Sequence, residues 1–344
     1  MEPLRWQVIA EGVFAPAVVA TGERGLTLFA RAASGELVVF QRDRGEWTAP
    51  RSLGIPLARS EGPGSPTVPV EWPIAACATG PEEIQILARG AEGELVHGTL
   101  RAGEWGGFDC IGTPANWIGG LAVPMGLASA PSACSCGRGR MDVFAVGAAG
   151  ALLHSQWDGK EFAEFESLGG VAREGCSDDP LASGVSATSC GARAIAVAAR
   201  GTSGDLLMKW WNGASWTAFA SVGVPEEPDP IYPAVPCQVP LAGSPVACGG
   251  GSTRLDVFAR GQRGNLLHKR WDGKNWSAFE SLGLPRSAQD GERIPFTGRS
   301  VACVWGKFRL DVFARGSDGK LYGLCWNGIG TMIRPESEAA GGAV

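Results

Sequence analysis

Basic runs, long apolar stretches and histidine are what this 344-residue chain has least of. No cluster of Lys or Arg occurs, charged residues make up 19% and the formal net charge is −5, which removes the electrostatic footprint of a nucleic-acid binder or of a protein held on an anionic membrane. No apolar stretch is long enough to cross a bilayer, so membrane insertion is not expected. The opening MEPLRWQVIAEGVF has no apolar core behind a basic end, and without that mark of a secretory leader a cytoplasmic location, or release by a leaderless route, is the expectation. Signatures of catalysis are missing as well: there is no Gly-x-Ser-x-Gly elbow, and Cys134-Ser135-Cys136 has neither a second cysteine pair at zinc-finger spacing nor a histidine nearby. No enzymatic activity, cofactor or metal is expected.

Glycine, at 51 residues, is abundant, and its placement exposes a repeat. LDVFARGQRGNLLHKRWDGKNWSAFESLG, from Leu255 to Gly283, has weaker copies aligned on Phe29, Leu87, Phe144, Ala198 and Phe313 as on Phe258. Their turn glycines are Gly35, Gly93, Gly150, Gly204, Gly264 and Gly319, spaced 54 to 60 residues apart. Within a copy, LDVFARG alternates apolar and polar residues, turns at glycine, runs back through NLLHKRW, turns at WDGKN and returns through WSAFESLG, which is a β-meander. Runs of small residues between copies, such as 17–20, 74–78, 245–248 and 299–304, supply a fourth strand. The fold class is therefore all-β: a six-bladed β-propeller of four-stranded antiparallel blades, with residues 1–334 as a single domain and 335–344 as a disordered tail.

Small residues suit the inner strands because these crowd around the axis. Cys77, Cys134, Cys248 and Cys303 all precede the alignment residue by ten and read as small buried hydrophobes. Cys176 and Cys237 lie in consecutive loops where they could meet, but most of the ten cysteines are expected as thiols. The sixth copy lacks its last strand. Trp6 resembles the tryptophan opening that strand elsewhere (Trp47, Trp105, Trp216, Trp276), so the N-terminal segment is expected to supply it and close the ring, a frayed arm being the plainer alternative. Trp72, Trp117, Tyr232 and Trp305 belong to long connections rich in Pro and Gly and are read mainly as loop packing.

The three histidines, His97, His154 and His268, share one repeat position, ten residues after the alignment residue. Two residues before the alignment residue stand Gln85, Asp142, Asp256 and Asp311. An acid and an imidazole on adjacent antiparallel strands can bond across the ladder, either as a fastening copied by duplication or as the polar part of a pocket. Trp157, Trp211, Trp271 and Trp326 share a further position and offer flat faces for stacking on a sugar ring. Arg31, Arg89, Arg200, Arg260 and Arg315 also recur, as ligand donors or as partners in inter-blade salt bridges. The candidate sugar-binding residues are Asp142, His154 and Trp157; Asp256, His268 and Trp271; Gln85 and His97; and Asp311 with Trp326. Blades 3 and 5 are the favoured pockets, because only there do acid, histidine and tryptophan occur together.

The unit at 256–283, D-V-F-A-R-G-x-x-G-x-L-x-H-x-x-W-D-G-x-x-W-x-x-F-E-S-L-G, resembles the repeat of bacterial propeller lectins typified by the Photorhabdus lectins. The six-fold count with closure by a distant strand is more similar to the fungal fucose-binding lectins of the Aleuria type. The resemblance implies a multivalent, non-enzymatic binder of glycans on cell surfaces. It implies several shallow sites between blades, for fucose or related deoxy or methylated sugars, with a homo-oligomer as a further option. In the Aleuria type an Arg and a Glu hold the sugar; the aligned positions here carry Asp256 and His268, Asp142 and His154, or Gln85 and His97. Thr27 with Val39 and Ala196 with Met208 imply that blades 1 and 4 have lost their sites. A propeller scaffold for protein partners is the alternative, and a hydrolase with an axial-channel site the remoter one.

Overall fold

Alternation in LDVFAR and the glycine that follows decide the local structure of every copy. The computed structural model describes residues 6–21, 25–43, 45–60, 66–118, 121–137, 139–172, 177–191, 194–228, 236–251, 253–305, 309–327 and 331–332. In it the six copies form six antiparallel meanders around one axis. The innermost strands, one per blade in chain order, are Val13–Thr21, Val68–Gly80, Ser132–Gly137, Ser186–Ser189, Val246–Gly249 and Phe296–Trp305. Each lies beside the next, and the sixth lies beside the first. The second strands are Gly25–Ala32, Glu83–Gly90, Arg140–Val146, Ile195–Arg200, Leu255–Arg260 and Arg309–Gly316. The third strands are Leu37–Asp43, Leu95–Arg101, Leu152–Trp157, Leu206–Trp211, Leu266–Trp271 and Lys320–Asn327.

Second strands are buried on both faces because each blade is covered on both sides, so the core divides into one cluster per seam. Phe29 packs with Ile86 and Phe108 of blade 2, Phe144 with Val197 and Phe219 of blade 4, and Phe258 with Phe296 and Val312 of blade 6. Phe313 packs with Leu28 and Phe40 of blade 1, which completes the circle. Ala198 replaces the phenylalanine in blade 4, and Trp210, Trp271 and Trp276 pack around it instead. The four cysteines ten residues before the alignment residue are buried, and burial, the largest cause for Cys77, Cys248 and Cys303, pushes their thiols up. Cys134 is pushed up too, first by its bond to Cys136 and then by burial.

The turn glycines also fasten blade to blade. The carbonyls of Gly93, Gly150, Gly204 and Gly264 accept from the amides of Leu127, Leu181, Leu241 and Phe296, at the entry to the next blade, at 2.8–2.9 Å. Gly204 has φ +79° and lies so close to the next blade that a Cβ there would stand 2.3 Å from that of Pro240. Glycine is required twice over, for the backbone conformation and for the approach. At the second turn, Asp272 Oδ1 accepts from the amides of Lys274 and Asn275 at 2.9 and 2.8 Å, which explains why WDG recurs.

Closure follows the sequence expectation. Gln7–Glu11 pairs antiparallel with Lys320–Asn327, Gln7 opposite Gly323 and Glu11 opposite Lys320, as the outer strand of blade 6. Trp6 sets its ring 4.6 Å from Phe296 edge to face and donates its indole N–H to the Leu282 carbonyl at 3.2 Å. Two expectations need correction. WSAFESLG is not one strand: Trp276 makes a single bridge to Trp271, and regular pairing returns only at Glu280–Ser281. The Ser277 hydroxyl accepts the Arg270 amide at 2.9 Å and so competes with the ladder. Trp305, Trp72 and Trp117 are not loop residues: the first two stand in the inner strands of blades 6 and 2, with Trp305 buried, and Trp117 lies in a short strand, Ala115–Ile118. Cys176, Tyr232 and the segment 335–344 lie outside the described residues.

Candidate functional site

An acid at i and a phenylalanine at i+2 share one face of a strand, and the register places each histidine directly opposite its alignment residue. In blade 5, His268 lies across from Phe258 and stacks on its ring, centroids 4.9 Å apart at 17°. His268 Nε2 meets Asp256 Oδ1 at 2.8 Å, and Nδ1 meets Glu280 Oε1 at 2.6 Å from the outer strand. Blade 3 repeats the row. His154 stacks on Phe144 at 4.7 Å and bonds Asp142 at 2.9 Å and Glu166 at 2.8 Å. Blade 2 carries a neutral version in which His97 Nε2 bonds Gln85 Oε1 at 2.8 Å, with Asp109 opposite on the outer strand. The glutamates complete the rows and were missed as site residues, although Glu166 and Glu280 share a repeat position with Asp109 and stand in FESLG itself.

The rows run from buried to wet: the Asp256 side chain is 0% exposed, His268 7% and Glu280 66%. Burial pulls the His154 and His268 imidazoles down, but bonds and charges from the flanking carboxylates outweigh it, and both sit above the ordinary value. His97, hydrogen-bonded to an amide, is pulled down by burial to about 4 against the weaker pull of the Asp109 and Glu83 charges. Two of the three histidines are thus held toward the cation and one is held neutral.

The aromatic partners come from the following blade. Trp216 of blade 4 stands 5.7 Å from His154, edge to face, and pairs with Trp211 at 5.5 Å. Trp157 and Phe162 of blade 3 stand 5.6 and 5.3 Å from His97 of blade 2. Trp271 packs on Trp210 of blade 4 at 5.1 Å. The structure therefore brings Asp142 to His154 and Asp256 to His268, but places Trp157 and Trp271 on the preceding blade's seam. Trp326 lies in the third strand of blade 6, and only its backbone is described.

Three carboxylates that align in sequence differ in what they hold. Asp256 is gripped by Arg254, Nε to Oδ2 at 2.5 Å and Nη2 to Oδ1 at 3.0 Å. Asp311 receives Arg42 of blade 1 at 2.8 Å and the indole N–H of Trp305. Arg42 occupies the repeat position that is tryptophan in blades 3 to 6, so this seam is filled by the chain's own guanidinium. Asp142 has no arginine partner among the described residues: Arg140, at the position of Arg254, is exposed, and only Gln156 joins His154, at 3.3 Å. The Asp142 side chain is 14% exposed. The recurrent arginines act within the scaffold: Arg200 and Arg260 donate to the carbonyls of Ala182 and Ala242 at 2.6 and 3.0 Å.

No protein-family model matches the chain, and no curated protein matches it in sequence. Solved structures do match in shape. The Aleuria aurantia lectin, a fungal lectin described as a six-bladed β-propeller with a novel fucose recognition mode, superposes with a TM-score of 0.59 at 17% identity, over 96% of this chain and 96% of that one. A variant of it in complex with α-methyl-L-fucoside gives 0.62 at 16%, over 94% and 96%. A lectin of Burkholderia pseudomallei gives 0.57 at 18%, over 95% and 99%. The likeness covers the whole ring and establishes the six-bladed propeller fold.

Proposed function

We propose that this chain is a non-catalytic, carbohydrate-binding lectin with shallow sites in the seams between blades, for fucose or related deoxy or methylated sugars. The observation that carries the reading is the acid–histidine–glutamate row of blade 3 under Trp216 of blade 4, in a fold shared with a lectin solved with a fucoside. A carboxylate and an imidazole give fixed partners for vicinal hydroxyls, and an indole covers the C–H face of the ring. Among the seams, that between blades 3 and 4 is the best site. Asp142 retains acceptor capacity, His154 and Glu166 line up beside it, and Trp211 and Trp216 supply the aromatic wall. Asp256 and Asp311 are committed to Arg254 and Arg42, so pockets that group them with Trp271 and Trp326 rank below it.

A single such pocket binds weakly, on the order of millimolar to tens of micromolar, because each hydrogen bond replaces one to water. Useful affinity then comes from several pockets on one glycan-coated surface. Glycan-array screening followed by calorimetry tests this. His154→Ala should abolish binding to the selected glycan in a chain that still folds, at a lowered melting temperature because its bonds to Asp142 and Glu166 are lost, and undiminished binding in that variant would exclude the seam. An opening of about 680 Å3 between blades 1 and 2, bordered by Trp72 and by Ile55 and Leu57, both largely exposed, favours protein contact as a second reading. Silence on the array together with retention of one defined protein on immobilised wild type, lost in Ile55→Asp, would support it.

A further inference from the structure

The inner strands leave a cavity of about 90 Å3 on the propeller axis, and every blade contributes to its wall. Most of the lining is small and apolar: Ala17, Ala75, Ala133, Ala187, Ala247 and Ala302 occupy one position per blade or its neighbour. One lining residue is charged. Arg299, on the inner strand of blade 6, reaches across the axis and donates from Nη2 to the Val185 carbonyl of blade 4 at 3.0 Å. Its Nε has no partner among the described residues. Arg299 is partly buried and lines this cavity; burial draws its guanidinium down to about 10, which leaves it cationic at neutral pH.

A partly buried cation with no carboxylate beside it attracts a counter-ion. No carboxylate lines this cavity among the described residues. Two further donors do: the hydroxyls of Ser132 and Ser186 accept the amides of Ala187 and Ala247 from the next blade at 2.9 and 3.0 Å, so each oxygen is already used as an acceptor and its proton is available to a ligand. The opening takes a small inorganic ion together with water.

We infer that the axial cavity is a binding site for one small monovalent inorganic anion, chloride in ordinary media, held by the Arg299 guanidinium with hydroxyl donors of Ser132 and Ser186, the remaining volume taking water. The ion neutralises the buried charge where all six inner strands meet, and so tightens the ring independently of the seams. It requires no sugar and supports no turnover.

Two experiments test it on the full chain. Melting is followed while sodium chloride replaces sodium gluconate at constant ionic strength. The expected result is a saturable upward shift in wild type, reproduced by bromide and nitrate, and absent in Arg299→Met. Crystals grown with sodium bromide, with data collected at the bromine edge, should show an anomalous peak on the axis within hydrogen-bond distance of Arg299. No anion-specific shift in wild type, or equal shifts in wild type and Arg299→Met, would overturn the site. If Arg299→Met does not fold, the bromide map alone decides, and a map without an axial peak sinks the proposal.

Discussion

His97 and His154 share a repeat position but not their flanks, Gln85 and Asp109 against Asp142 and a hydrogen-bonded Glu166, and the difference reverses what pH does to each. His154 and His268 have folded values raised above the unfolded value of about 6.5. Their contribution to stability is therefore complete below about pH 6.5 and is lost as pH rises through the raised folded value. His97 runs the other way: depressed to about 4, it costs stability as pH falls from about 6.5, because the unfolded chain takes up the proton first. The melting temperature should thus decline from pH 6 to pH 9, and the decline should shrink in His154→Asn/His268→Asn. An unchanged slope in that double variant would refute the assignment. The aspartates also separate. Asp142→Asn should weaken glycan binding about tenfold or more and lower the melting temperature near pH 6, since it removes a carboxylate that holds the His154 imidazolium. Asp256→Asn strands Arg254 and His268 in the interior and should cost about 3 kcal/mol in denaturant melts.

At the scale of the element, the second strand with its turn glycine is the unit that sequence exposes best. Its alternation and the 54 to 60 residue spacing sufficed for six blades, for inner strands of small residues and for Trp6 as the opening of a displaced strand. What the repeat could not disclose was partnership across a seam. The repeat groups Trp157 with His154, but at three residues apart on one strand they face opposite sides, and the tryptophan ring meets His97 of the blade before. Nor could it show that Arg254 and Arg42 hold their aspartates while Arg140 does not, since these are differences of side-chain path on equivalent backbones. Glycine 204 gives a test at this scale. Gly204→Ala adds a Cβ at φ +79° and 2.3 Å from Pro240, so it should cost well above the ~1–2 kcal/mol of left-handed strain alone. Gly223→Ala, at φ +108° with nothing within 4 Å, should pay only the strain. Equal losses in the two, by chemical denaturation, would contradict the clasp.

The whole molecule is a ring of six seams, and no blade encloses its own core. Loss at one seam is therefore felt as loss of closure. Removing residues 6–11 should strip the outer strand and Trp6 from blade 6, expose the edge of Lys320–Asn327 and lower the melting temperature of the ring as one transition. A truncated chain that melts with the wild type would show that the strand is dispensable.

The pairing of Gln7 with Gly323 also sets a clock on synthesis. At translation speeds of about 5–20 residues per second, the first strand waits roughly a quarter of a minute to a minute before its partner leaves the ribosome. Throughout that interval a strand with open backbone donors and acceptors, next to a tryptophan with no ring to cover it, trails from five nearly finished blades. The ring is thus most open to wrong pairing with a neighbouring nascent chain just before it closes, and the fault to be expected on a crowded polysome is one molecule's first strand seated in another's last blade.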